Sequence, residues 1–298
     1  MQDYDLKDFK SYLMFERGLS ENTVDGYMRD LRAFYDYIDY DIEKFDLAHL
    51  DTYFSELKDD GYKVTSIRRK IVSLRQYNEF LSRTKGMKDV MSKYELPKTE
   101  KKLPQVLSLE EIVKVINHID DTTPAGKRNK SMMLLLVSTG MRISELVHLE
   151  INDINHSVSN VRVIGKGNKE RTIYLNKACL KAINDYLEVR PKIGIKPDSV
   201  KALFLSERKE RISKRTVQYV VDKELRRAGL DTKKYSTHKL RHTAATLMYQ
   251  YGNVDIRALQ ELLGHESIST TEIYTHVANE QVRNAVDVNP LSDYSADK

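Results

Sequence analysis

The chain has 298 residues, enough for two domains and a sizeable core. Its 40% hydrophobic and 31% charged content describe a globular protein. No apolar run reaches membrane-spanning length, the start with Asp3 and Asp5 does not read as a signal peptide, and Cys179, the single cysteine, rules out a disulfide framework or a cysteine zinc site; a cytoplasmic protein is expected.

The net charge of +5 says less than its distribution. Residues 1–60 carry net −9, residues 61–107 net +8 and residues 108–298 net +6. A solvated helix face explains a mixed pattern, whereas a basic block after an acidic start suits a surface that tracks phosphates.

The first part of the chain predicts four helices. Residues 6–17 form a short amphipathic helix stopped at Gly18. Ser20 caps a second helix running to about Ile38, with Val24, Tyr27, Leu31 and Phe34 on one face. Residues 46–60 form the third, ended by Gly61, and residues 65–81 the fourth, with Ile67, Ile71, Leu74 and Leu81 as its buried stripe. The other face of the fourth helix carries Arg68, Arg69, Lys70 and Arg75, which suits either solvent or a DNA backbone. Residues 86–107 predict a linker, because Pro97 and Pro104 interrupt any helix. Lys98, Lys101 and Lys102 lie between those prolines, as DNA contacts or as the charge of a solvated spacer.

A new domain starts at the capping box Ser108-Leu109-Glu110-Glu111. A helix over residues 128–138, apolar from Met132 to Val137, is expected to be central and to stop at Thr139-Gly140. Arg142 opens the next helix, 142–149, with Glu145 one turn along. An arginine there opposes the helix dipole. Either it forms a simple salt bridge with Glu145, or it joins the helix N-terminus in holding a phosphate while Glu145 orients the guanidinium. Residues 161–164 and 171–175 alternate like strands, joined by Gly165-Lys166-Gly167-Asn168-Lys169 with Lys166 at the tip of the turn. Helical patterns follow at 177–190 and 213–228, the latter with Lys214 and Arg215 in its first turn as further candidate DNA contacts. Thr237 is expected to cap the helix that carries His238, Arg241 and His242. Residues 255–263 form a helix ended by Gly264, and the capping box Ser269-Thr270-Thr271-Glu272 places Tyr274 in another.

His238 and Arg241 share a helix face and can reach one ligand together. With His265 and Tyr274 they suit work on a phosphodiester: arginine for phosphate charge, histidine for proton traffic, tyrosine as nucleophile. His238 and His242, four residues apart, have the spacing of two zinc ligands, but the glutamate of His-Glu-x-x-His and an acidic third ligand are missing, so no metal is expected. Each member of the set has an ordinary explanation, and Tyr274 is one of 18 tyrosines. The order of the whole set carries the signal.

On the segments Thr139–Leu146, Gly165–Arg171, His238–His242, Leu262–His265 and Tyr274, the chain resembles the tyrosine recombinases of the phage integrase family, most closely the short Xer type. The resemblance covers nearly the whole chain, and the catalytic positions show no departure. It implies a mainly α fold with a small antiparallel β-sheet, in which two domains clamp DNA: an N-terminal four-helix core-binding domain (1–85), a basic linker (86–107), an α-rich catalytic domain (108–279) and a C-terminal tail (280–298). An arm-binding domain is not expected. The implied chemistry gives Tyr274 the attack on the scissile phosphate and Arg142 and Arg241 its non-bridging oxygens. Lys166 becomes the acid for the leaving 5′-oxygen, His238 the proton-transfer residue, His265 a hydrogen-bond donor and Glu145 a support. No cofactor is implied. The implied partners are double-stranded DNA with paired half-sites, three further protomers of the same or a second recombinase, and a DNA translocase. The tail, with Val282, Val286, Val288 and Leu291, either packs on its own domain or docks on a neighbouring protomer. The implied roles are dimer resolution in chromosome partition and cell division, or integration of a mobile element. A type IB topoisomerase-like relaxing enzyme and a non-catalytic DNA-binding protein of the same fold are the alternatives.

Overall fold

The computed structural model describes residues 2–92, 94–98, 105–165, 169–232, 234–252 and 254–264. The chain divides into two units, Met1–Lys102 and Leu103–Lys298.

In the first unit, α1 (Gln2–Ser11) runs into a single π-helical turn, Tyr12–Glu16, and the segment ends at Gly18, whose φ of 59° suits glycine. The turn is thus π-helical where a continuous α-helix is expected. Ser20 caps α2 (Glu21–Tyr37) by accepting from the Thr23 amide. Asp46 caps α3 (Leu47–Asp59) through the His49 amide. The fourth helix, α4 (Val64–Lys85), outlasts its apolar stripe by one turn, because the left-handed residue that ends it is Gly86. These helices bury Phe9, Leu31, Phe34, Leu50, Ile71, Leu74 and Tyr77 in one core. Phe9 meets Tyr77 edge-on with ring centroids 5.0 Å apart, and the buried Tyr35 and Tyr77 hydroxyls share a hydrogen bond of 2.6 Å.

The stretch expected as a linker begins differently. Residues 87–92 and 94–97 lie along the first unit as a strap. Met91 is fully buried, and Met87, Val90, Tyr94 and Leu96 pack around the same core. Asn78, itself buried in α4, donates to the Lys88 carbonyl at 3.2 Å and accepts from the Met91 amide at 3.0 Å. The arginines of α4 hold the rest. Arg75 donates to the carbonyls of Met91 (3.3 Å) and Tyr94, and Arg68 donates to that of Pro97. Arg69 pairs with the buried Asp30, which also takes Ser73 and faces Lys70 at 3.6 Å. Arg68, Arg69 and Arg75, expected to face solvent or a DNA backbone, are each bonded within the first unit: the chain after α4 offers carbonyls that need donors, and Arg68 and Arg75 supply them.

In the second unit, Leu107 is buried and its amide donates to Thr243 Oγ1 at 3.0 Å. The capping box at Ser108 starts α5 (Leu109–His118). Helix α6 (Pro124–Thr139) starts four residues before the expected 128. Thr123 caps it, Pro124 occupies the first turn, where its missing N–H costs nothing, and Gly126 sits where a Cβ would overlap the Asp120 carbonyl. Met132, Met133, Leu135 and Leu136 are buried, and α6 packs against α8 (Lys177–Val189) and α10 (Thr237–Tyr251). Between them in the chain come the short α7 (Ile143–His148) and an antiparallel sheet of three strands, β1 (Ile154–Asn155), β2 (Asn160–Ile164) and β3 (Glu170–Tyr174). The β2–β3 register pairs Val161 with Ile173, which places Val161, Val163 and Ile173 on the core face. Ser213 caps α9 (Lys214–Arg227), and Asp255 caps α11 (Ile256–Leu263). The N-cap of α10 is Ser236 rather than Thr237, which lies buried in the first turn. Among the described residues no helix is long and apolar enough to cross a membrane.

Truncating the fully buried Met91 tests the strap. Met91→Ala is expected to lower stability by about 2–5 kcal/mol in denaturant unfolding of the full chain, the usual loss for a core methionine; no measurable loss would return 87–97 to the role of a solvated connector.

Candidate active site

The site is organised on the C-terminal end of α11. A helix leaves its last carbonyls without intrahelical donors, and the dipole favours cations there. Three arginines from three different elements take three consecutive carbonyls. Arg171 of β3 donates through Nε to Leu262 O at 3.1 Å. Arg241 of α10 donates through Nη2 to Leu263 O at 2.6 Å, and Arg142, the residue before α7, donates through Nη2 to Gly264 O at 2.9 Å. Arg241 also spans to the Gly140 carbonyl at the end of α6, at 2.6 Å.

Two glycines make this approach possible. Gly140 has φ 64°, and a Cβ there would stand 2.8 Å from the Leu263 side chain; Gly264 has φ 65°, and its Cβ would press on the Arg171 guanidinium at 3.2 Å. Both positions combine a left-handed backbone with no room for a side chain.

Glu145 completes the arrangement. Its carboxylate is buried and takes both forks of Arg171, Nη1 to Oε1 at 2.8 Å and Nη2 to Oε2 at 2.9 Å. Oε1 also accepts from Arg142 Nη1 at 3.0 Å, and Oε2 from the Arg142 amide at 2.7 Å. Burial pushes the Glu145 carboxyl up, but the hydrogen bonds and charge of Arg171, with those of Arg142, pull it further down, so that it lies below the ordinary value. Arg142 stands at the N-cap, with extended backbone, and not inside the first turn; its conflict with the helix dipole is met by Glu145.

Arg142 and Arg241 line one groove with Ser144, Lys214, Gln218 and His238. His238 is exposed, whereas Arg241 is 8% exposed. His242, one turn on, is half-buried, and burial followed by the charges of Lys239, His238 and Arg241 depresses its imidazole toward the neutral form. The structure thus brings Arg142, Glu145, His238, Arg241 and Lys214 together. Arg215 is exposed and is not among the residues lining the groove. Lys98 is exposed at the end of the strap, and Arg68, Arg69 and Arg75 are bonded within the first unit as described above. Lys101, Lys102, Lys166, His265, Tyr274, the capping box at 269–272 and the tail lie outside the described residues. Among the described residues no three His, Cys, Asp or Glu side chains gather as metal ligands would. Sequence reasoning assigned no role to Arg171; its position at the start of a strand, next to a glycine-rich turn, carried no signal that it would bind a buried glutamate.

The model of the phage integrase family matches residues 105–281, and that of the phage integrase N-terminal SAM-like domain matches residues 6–85. The chain is 46% identical to the tyrosine recombinase XerC of Caldanaerobacter subterraneus subsp. tengcongensis, over 96% of this chain and 87% of that protein. It is 36% identical to the tyrosine recombinase XerD of Staphylococcus epidermidis, over 93% of this chain and 95% of that protein. Its fold is similar to that of the XerH site-specific recombinase, crystallised on a palindromic difH substrate as a post-cleavage complex: TM-score 0.75, 23% identity, 95% of this chain and 84% of that one.

The depressed carboxyl of Glu145 has a pH consequence. A group whose folded pKa is lowered adds stability that is present above its unfolded pKa, about 4.3 for glutamate, and lost as pH falls through the folded value. Glu145→Gln is expected to cost about 3 kcal/mol near neutral pH, the scale for breaking a buried pair. It should also remove part of the acid-side fall in stability. Denaturation midpoints of both proteins between neutral pH and the acid limit check this; parallel curves would mean that Glu145 carries no linked proton.

Proposed function

Because the chain belongs to the phage integrase family as a Xer-type tyrosine site-specific recombinase, we propose that it cuts and rejoins double-stranded DNA through a 3′-phosphotyrosyl intermediate on Tyr274. The observation that carries this reading is the convergence of Arg142 and Arg241 on one groove, each bonded to a carbonyl at the end of α11. Two guanidinium groups lining one groove suit the two non-bridging oxygens of one phosphate, where charge builds in the transition state.

In the proposed cycle the Tyr274 phenolate oxygen forms a bond to phosphorus as the bond to the 5′-oxygen breaks. Lys166 protonates the departing 5′-oxygen. His238, exposed beside Arg241, serves the proton of the tyrosine, and His265 donates to the phosphate. A free 5′-hydroxyl of the partner strand then attacks the phosphotyrosine, and the tyrosine leaves. One phosphoester replaces another, so no nucleotide needs to be hydrolysed. Two such exchanges pass through a Holliday junction. Paired half-sites and four protomers, of this chain alone or with a second recombinase, supply the geometry, with the tail 280–298 as the link between neighbours; a DNA translocase is a further partner. Lys98, Lys101, Lys102, Lys214 and Arg215 are taken as phosphate contacts; in α4, Arg68 and Arg75 hold the strap and Arg69 pairs with Asp30.

Tyr274→Phe removes only the phenolic oxygen. It is expected to bind the site as wild type does, within about threefold since no binding donor is invoked, and to give no covalent adduct. The assay uses a nicked suicide duplex and a denaturing gel; a DNA-shifted band from the variant would assign the nucleophile to another residue.

The role of Lys166 separates from that of the arginines by leaving-group chemistry. With sulfur at the bridging 5′ position the leaving group is a thiolate, which departs unprotonated because thiol pKa values lie near ~8.5. Lys166→Ala is expected to be slow on ordinary DNA and substantially restored on the sulfur strand, whereas Arg142→Ala and Arg241→Ala remain slow on both in single-turnover assays. A Lys166→Ala defect of equal size on the two strands would make the lysine a DNA-positioning group.

A further inference from the structure

We propose that Arg171 is a positioning residue for cleavage: it neutralises Glu145, so that Arg142 keeps its positive charge for the scissile phosphate. The inference rests on the assignment of Arg142 to that phosphate. Arg142 alone beside Glu145 would be a neutral pair, and a phosphate approaching it would meet a carboxylate already satisfied by the same guanidinium. Arg171 changes the balance. It engages both oxygens of Glu145, at 2.8 and 2.9 Å, while Arg142 Nη1 shares Oε1 at 3.0 Å. Two cations and one anion leave one positive charge. The Arg171 side chain is 16% exposed and that of Glu145 2%, whereas Arg142 is 33% exposed and lines the groove, so the surplus is presented on the groove side. Glu145 and most of Arg171 are withdrawn from water, so their mutual neutralisation is stronger than it would be at the surface.

The same guanidinium has a mechanical part. Its Nε holds Leu262 O, and both Gly264 and Gly165 lie against it, with ideal Cβ positions 3.2 and 3.4 Å from Nη1. Gly165 is the residue before Lys166, and Gly264 the residue before His265. Arg171 therefore packs against the residue that precedes each of these two candidate catalytic residues.

The test measures single-turnover adduct formation by the full chain on a nicked suicide duplex at saturating enzyme, with thermal melting of each variant. Arg171→Lys keeps the charge and loses the fork; Arg171→Gln loses both. The charge role predicts that Lys stays within about tenfold of wild type and that Gln falls about a hundredfold, the scale for losing one electrostatic contact to the transition state. Adding Glu145→Gln to Arg171→Gln, which frees Arg142 of its counter-charge, should regain at least about tenfold over Arg171→Gln alone by the same logic. Equal slowing by Lys and Gln, or rates that follow melting temperature, would overturn the inference and leave Arg171 a fold-holding residue. Where Arg171→Gln does not fold, the double variant, with no unpaired buried charge, decides alone: cleavage within about tenfold of wild type supports the charge role, and a loss of about a hundredfold overturns it. Wild type that forms no adduct would instead remove the recombinase mechanism on which the inference rests.

Discussion

The second unit depends on how one helix end is satisfied. The carbonyls of Leu262, Leu263 and Gly264 have no intrahelical donors, and three guanidinium groups from β3, α10 and the start of α7 supply them. Planar, multi-donor side chains do what lysines would not: each binds a carbonyl and keeps further N–H groups aimed elsewhere. Arg171 uses its remaining donors on Glu145, Arg241 uses one on Gly140, and Arg142 uses one on Glu145 while facing the groove. Elements far apart in the chain are thereby fixed to one point within a few ångströms of one another. A recombinase of this family needs that precision, because stabilising a phosphoryl transition state requires donors held in place before the substrate arrives.

The buried Glu145 would be costly alone. Taking a carboxylate out of water is repaid only when its oxygens are bonded and its charge is matched, and here four hydrogen bonds from two arginines do so. The first unit solves a related problem differently. The buried Asp30 is shared among Arg69, Lys70 and Ser73, and the neighbouring Arg68 and Arg75 hold the strap against α4. In both units arginine serves as a structural connector as much as a surface charge.

Much of this was legible from residue patterns. Gly140 and Gly264 stood out as helix ends, Arg142 with Glu145 as a pair one turn apart, and His238 with Arg241 as groups on one face. All of these are local relations, readable from spacing. Arg171 was not legible, because its partner lies 26 residues away and its carbonyl acceptor 91 residues away. The strap at 87–97 was missed for a similar reason. Prolines and lysines suggest an open connector, and only the packing of Met91 and the donors of Arg68, Arg75 and Asn78 show that it is covered. The partners of the α4 arginines were not legible because composition records charge but not whether that charge is already paired. The early start of α6 was overlooked where Thr123-Pro124, a helix-opening pair, preceded the obvious apolar run.

We assign Arg142 and Arg241, held by the end of α11, to one and the same phosphate. A crystal structure of the Tyr274→Phe protein on its duplex half-site tests this assignment most directly. Both guanidinium groups are expected within hydrogen-bond distance of the two non-bridging oxygens of the scissile phosphate, with Glu145 still bridging Arg142 and Arg171. Arginines on separate phosphates, or an Arg241 that reaches only the Gly140 and Leu263 carbonyls while DNA is bound, would contradict it.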